Sequence, residues 1–183
     1  DPLLGYDESL REVQRRYLQN RDKYFFCDQY KNGNNWLAHY ETTAQEILEQ
    51  APDLTHFICG IGTGGSISGI GRRLKEETPE VTVVSVRPER FPGIEGLKPL
   101  GEPQDVVPEI LDETVIDENV DVTADEARHY CHRLAEMGHF VGQSSGAYLA
   151  GVDRILERHP QARVVTLLND TGERYGGTGL WRA

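Results

Sequence analysis

The run Cys59-Gly-Ile-Gly-Thr-Gly-Gly-Ser-Ile-Ser-Gly69 limits what this chain can fold into more than any other stretch. An apolar segment, His56–Cys59, precedes it, and a segment of helical periodicity, Ser66–Glu76, follows. The glycines therefore fall where a strand turns into a helix. Glycine there lets the backbone turn sharply and bring N–H groups, unobstructed by Cβ atoms, against an anion. The helix N-terminus adds a partial positive charge, and the hydroxyls of Thr63 and Ser66 add donors. No lysine lies in the loop, so dipoles and hydroxyls would hold the anion, which suits a phosphate monoester. Two other readings stand beside this one. A tight strand-to-helix turn needs no ligand. Gly60-x-Gly62-x-x-Gly65 also satisfies a dinucleotide fingerprint, but that motif wants an acid at the end of the next strand, and Arg87-Pro88-Glu89 brings the acid late, behind a proline. A dinucleotide-binding module using Arg87 is the alternative of another class.

Periodicity and punctuation extend the pattern along the chain. They predict helix 8–18, strand 24–28, helix 36–50, strand 56–59, helix 66–76 and strand 81–87, then a Pro/Gly-rich loop over 88–109. A short strand over 114–120, helix 124–137, strand 140–142, helix 146–158 and strand 164–168 follow. Thr123 and Glu126 form a capping box at one helix start. Such alternation predicts an α/β fold with a mostly parallel sheet flanked by helices.

Charge and cysteine content exclude several classes. With 30 acidic against 19 basic residues and a net charge of -11, the surface repels a phosphodiester backbone, so no nucleic-acid partner is expected. No apolar stretch approaches the ~20 residues of a membrane helix, and a cytoplasmic protein is the expectation. Cys27, Cys59 and Cys131 are far apart, which gives neither a disulfide framework nor a zinc site. His129, His132 and His139 lack the spacing of a zinc motif and read as solvated or packed, so no metal is expected. The acidic run from Glu102 to Glu113 reads as a solvated loop. Gly142-x-Ser144-x-Gly146 could be a hydrolase nucleophile elbow, yet the histidine after Ser144 is His159, at the end of the same predicted helix, out of reach of the serine.

Four motifs, in order along the chain, carry a family resemblance. They are Asp28-Gln-Tyr with Asn35-Trp-Leu-Ala-His-Tyr-Glu-Thr-Thr43, then His56 through the glycine run to Arg72, then Gly142-Gln-Ser-Ser-Gly-Ala147, and Asn169-Asp-Thr-Gly-Glu-Arg-Tyr175. Together they resemble the C-terminal portion of cysteine synthases (O-acetylserine sulfhydrylases), fold-type II pyridoxal-phosphate (PLP) enzymes. His-Tyr-x-Thr-Thr and Gly93-Ile-Glu-Gly-Leu97 lean toward the B-type. The resemblance implies a tryptophan synthase β-like fold, with residues 1–33 the remnant of a small domain and 34–183 the large PLP-binding domain. It implies that Gly62, Thr63, Gly64, Gly65 and Ser66 bind the cofactor phosphate, that Ser144 faces the pyridine nitrogen, and that Asp170 and Thr171 lie beside it. Gln29, Gly93, Ile94, Glu95 and Gly96 would contact the substrate. After Tyr175 the family continues Leu-Ser-Thr, whereas Gly176-Gly177-Thr178 follows here.

The implied activity is β-replacement, forming L-cysteine from an O-activated serine and a sulfur donor. Cystathionine β-synthase or a serine/threonine dehydratase-like lyase is the alternative within the same chemistry. That chemistry needs a Schiff-base lysine. Lys23, Lys31, Lys75 and Lys98 are the chain's lysines, and none has the Ser-x-Lys context of the family. The catalytic lysine is therefore expected outside this sequence, with this chain alone inactive, apolar surface exposed, and the intact protein a homodimer. Lys98, near the substrate-contacting loop, reads as a solvated lysine or as a contact for an anionic substrate.

Overall fold

The computed structural model describes residues 5–182, with side chains from Asp7 onward. In chain order the elements are α1 (Gly5–Gln19), α2 (Asn34–Ala38), a π-helical turn (His39–Thr43), α3 (Ala44–Gln50), β1 (His56–Gly60), α4 (Gly65–Glu77), β2 (Thr82–Pro88), β3 (Glu118–Val122), α5 (Ala124–Glu136), α6 (Gln143–Arg158) and β4 (Val164–Thr166). Short 3₁₀ turns cover Glu113–Val115 and Gly172–Tyr175. The four strands form one parallel sheet in the order β3-β2-β1-β4. The register pairs His56 with Thr82 and with Val164, and Val84 with Glu118.

The central strands are covered on both faces, as parallel strands require. Phe57, Ile58, Val83, Val84 and Val86 are buried, packed with Ile67, Ile70 and Leu74 of α4 and with Ile155 of α6. One close approach sets the layer over α4. A Cβ on Gly69 would stand 2.1 Å from the carbonyl oxygen of Trp36 and 3.0 Å from the backbone nitrogen of Tyr40. Only glycine lets the α2 and π-turn backbone lie on α4, which brings His39 within reach of the start of that helix.

Most predicted elements are present with ends shifted by a few residues. The capping box of α5 forms as expected, with Thr123 accepting from the Glu126 N–H and the Glu126 carboxylate accepting in return. Three expectations need correction. Tyr24–Asp28 is not a strand: among the described residues no neighbouring strand supplies ladder partners, and Tyr24 and Phe25 face solvent. Phe140–Gly142 contributes only an isolated antiparallel bridge from Val141 to Thr171. The strand expected over 114–120 begins as a 3₁₀ turn, because the Asp112 side chain caps Thr114, and the extended segment starts at Glu118. Large apolar side chains remain exposed, led by Phe25 at 90% and Phe91 at 85%.

Candidate cofactor site

The site lies at the C-terminal ends of the strands, where two helices begin. The N-cap of α4 is Gly64, whose φ of +84° is left-handed and whose position carries no side-chain cap bond. A non-glycine residue would be strained there, and its Cβ would meet Leu111 at 2.9 Å. The first turn of a helix leaves its N–H groups without intrahelical acceptors. Of these, the Gly65 N–H reaches Thr63 Oγ1 at 3.3 Å. Asn35 closes the other side of the turn: its amide donates to Thr63 Oγ1 at 3.0 Å and to the main-chain oxygen of Gln29 at 2.8 Å. A Cβ on Gly65 would sit 2.0 Å from Asn35 Oδ1. Glycines, uncapped N–H groups and hydroxyls thus form a concave cradle of donors, and that donor set fits a phosphate group.

The N-cap of α6 is Gly142, again without a side-chain cap bond. Its first turn carries Ser144, which is buried. Asn169 Nδ2 donates to Ser144 Oγ at 3.4 Å and to the Tyr148 hydroxyl at 3.0 Å, while the Asn169 N–H donates to Ser145 Oγ at 3.1 Å. Cys59 Sγ approaches the Tyr148 hydroxyl at 3.9 Å. Burial pushes the Cys59 thiol up to about 12 and the Tyr148 phenol well above its ordinary value, so these two groups stay neutral. With an Oγ lone pair taken by Asn169, the Ser144 O–H is left to donate elsewhere. That proton is what an unprotonated pyridine nitrogen would accept.

The loop over 93–97 joins the two ends. The Gly96 carbonyl oxygen lies 2.7 Å from where a Cβ on Gly62 would stand, and a Cβ on Gly96 would lie 3.8 Å from Ser144 Cβ and Oγ. The Glu95 N–H donates to Gln143 Oε1 at 3.1 Å, and Ile94 is buried in the core. At the end of the loop the Lys98 N–H bonds the Ile61 oxygen at 2.7 Å. Asp170 packs under the start of α6: its main-chain oxygen accepts from the Gly142 N–H at 3.2 Å, and its Oδ2 accepts from the Tyr175 hydroxyl at 2.8 Å. Its Oδ1 is buried without a hydrogen-bond partner, 2.0 Å from where a Cβ on Gly142 would stand. The α6 dipole offsets that charge. Thr171 is exposed and holds the bridge to Val141.

The fold therefore brings Gly62 through Ser66, Gly96 and Ser144 into one place, with Asp170 behind Ser144. Gln29 reaches the cradle through its main chain, and its side chain is exposed. Sequence reasoning missed Asn35, Asn169, Tyr148 and Gln143 as positioning groups. Asn35, Asn169 and Gln143 stand inside quoted motifs, but their partners lie 28, 25 and 48 residues away.

Other readings find no such assembly. His159 stacks on His56, with ring centroids 5.4 Å apart, instead of approaching Ser144. Arg87 is paired with Asp121 at 2.9 Å. Among the described residues no group of three His, Cys, Asp or Glu side chains could hold a metal ion, and no helix is long and apolar enough to cross a membrane.

A model of the pyridoxal-phosphate dependent enzyme family matches residues 4–170. The chain belongs to that family. It is 39% identical over 188 residues to a cysteine synthase of Aquifex aeolicus, covering 99% of this chain and 57% of that protein. To cysteine synthase B of Escherichia coli it is 36% identical over 166 residues, covering 90% of this chain and 54% of that protein. The crystal structure of O-ureido-L-serine synthase superposes with a TM-score of 0.84 at 37% identity, over 97% of this chain and 58% of that one. The parallel sheet flanked by helices is thus the architecture of these enzymes, as the sequence led us to expect. The chain spans little more than half the length of the relatives it matches.

Proposed function

We propose that the protein carrying this chain makes L-cysteine by PLP-dependent β-replacement on an O-activated serine with a sulfur donor. The observation that carries this reading is the pairing of an uncapped, glycine-built cradle at the start of α4 with a buried, oriented serine at the start of α6, joined by Gly96. Gly62, Thr63, Gly64, Gly65 and Ser66 would hold the cofactor phosphate, and Ser144 the ring nitrogen, with Asp170 and Thr171 beside it. The bound cofactor would supply an electron sink for loss of the β-substituent. A hydroxyl at the ring nitrogen, unlike a carboxylate, does not keep a proton there. That moderates the sink and favours β-replacement over transamination.

Gln29 and the loop of Gly93, Ile94, Glu95 and Gly96 would bind the substrate. Of the four lysines, Lys31 pairs with Glu109 at 2.6 Å, Lys75 with Asp117 at 2.6 Å, Lys98 with Asp7, and Lys23 lies over the Tyr24 ring. None is presented to the cradle, which supports a Schiff-base lysine contributed from outside these 183 residues. Residues 1–33 would complete a small domain and 34–183 the large one, in a cytoplasmic homodimer. The exposed Phe25 and Phe91 fit a chain that packs within a larger body.

The test is borohydride reduction of the full-length protein with PLP, followed by peptide mass mapping and a cysteine assay with O-acetylserine and sulfide. The expected result is cysteine formation, with the reduced cofactor on a lysine other than Lys23, Lys31, Lys75 or Lys98. Attachment to one of those four would overturn the site assignment. A second reading rests on the structural match to O-ureido-L-serine synthase: the same replacement with a nucleophile other than sulfide. Turnover with hydroxyurea and none with sulfide would favour it.

A further inference from the structure

His39 lies outside the glycine loop, yet both of its ring nitrogens are engaged, one of them by the loop. Nε2 lies 3.1 Å from Ser66 Oγ, and Nδ1 lies 3.1 Å from Thr43 Oγ1. The residue opens the π-helical turn His39–Thr43, a widened backbone that recurs at functional sites. That turn is pressed onto α4 by the missing side chain of Gly69, where an added Cβ would also stand 3.0 Å from His39 Cβ. The contact to Ser66 is therefore built by the backbone rather than left to a free rotamer.

The imidazole is half-buried, and burial lowers its proton affinity. A neutral imidazole has one donor nitrogen and one acceptor nitrogen, so two arrangements are possible. In one, Ser66 donates to Nε2 and turns only oxygen lone pairs toward the cradle. In the other, Thr43 donates to Nδ1, Nε2–H donates to Ser66 Oγ, and the Ser66 O–H is free to donate into the cradle. An anion there selects the second. Residues 62–66 include no cation, so the direction of each hydroxyl proton counts for more than it would beside a lysine.

We propose that His39 is a positioning residue for the phosphate cradle: its Nε2–H bond fixes the Ser66 hydroxyl as a proton donor to the bound phosphate. This rests on the assignment of residues 62–66 to the cofactor phosphate. Thr43 sets the tautomer, and His39 itself touches no part of the cofactor.

The experiment measures PLP affinity of the full-length protein by reconstitution, together with the ³¹P chemical shift of the bound cofactor. The variants are His39→Gln, His39→Asn, Ser66→Ala and the double variant His39→Asn/Ser66→Ala. Glutamine keeps a donor at the Nε2 position, whereas asparagine keeps only the partner of Thr43. His39→Asn and Ser66→Ala should each weaken PLP about tenfold, the scale of one hydrogen bond to a charged group. The double variant should be no worse than Ser66→Ala. His39→Gln should stay within about threefold of the parent, with an unmoved ³¹P shift. Equal losses in the Gln and Asn variants, or additive losses in the double variant, would reduce His39 to a packing residue and overturn the proposal. If the parent protein fails to bind PLP at all, the phosphate assignment falls and takes the proposal with it.

Discussion

The starts of α4 and α6 solve the same problem in opposite ways. Both lie at the carboxyl ends of parallel strands, and both lack a side-chain cap. The α4 end is made of backbone: glycines at 62, 64 and 65 strip away Cβ atoms and leave the N–H groups of one turn uncovered. The α6 end is made of side chains: Ser144 is aimed by Asn169, which also holds Tyr148, which in turn meets Cys59. One end should fail when an atom is added, the other when an atom is removed.

Adding atoms gives the largest expected effect. Gly69→Ala drives a Cβ into the Trp36 carbonyl, where neither backbone can yield, and should cost about 3 kcal/mol of unfolding free energy by denaturant titration. An unchanged midpoint would mean that the α2 layer is not seated on α4 as described. Gly64→Ala comes next. The left-handed φ costs roughly 1–2 kcal/mol of stability, and distortion of the cradle should lower PLP affinity at least about tenfold, measured by reconstitution.

At the other end, Ser144→Ala should cost only about 1 kcal/mol of cofactor affinity, roughly fivefold. Competition by inorganic phosphate should be untouched. Asn169→Ala should act in the same direction and more weakly, and a loss larger than that of Ser144→Ala would contradict the order of the network. The chemistry of the two buried thiols sharpens the contrast further. Burial lifts Cys59 to about 12 and Cys131 to about 11, while Cys27 is exposed. In the native state near pH 8 a thiol reagent should modify Cys27 and spare the other two until the protein unfolds.

The smallest effect is on pH dependence. The folded pKa values of His39 and His56 lie below 6.5, first because of burial. As pH falls, the unfolded chain takes up these protons before the folded one. Stability present above about pH 6.5 therefore declines below it. Denaturant midpoints should be lower at about pH 5.5 than at about pH 7.5, and the decline should be shallower in His39→Gln. Superimposable profiles of the parent and the variant would contradict this.

The same contrast explains what could be read from the sequence. The α4 cradle is contiguous, so its glycines, hydroxyls and flanking strand and helix were all legible, and the alternation of elements gave the parallel sheet. The α6 end is assembled from residues 59, 96, 144, 148 and 169. Only Ser144 and Gly96 could be named, and only through the resemblance, because a lone Asn169 carries no local signal of its partner. His39 escaped for the same reason: Ser66 stands 27 residues away, and the π turn that joins them has no simple periodic signature. The apolar run at Tyr24 misled because β-propensity alone cannot supply a neighbouring strand.

The most direct test of the account is the crystal structure of the full-length protein with PLP. It predicts phosphate oxygens within hydrogen-bond distance of the first-turn N–H groups of α4 and of Thr63 and Ser66, with the pyridine nitrogen facing Ser144 Oγ. A phosphate bound away from residues 62–66, or a ring nitrogen facing a residue other than Ser144, would contradict it.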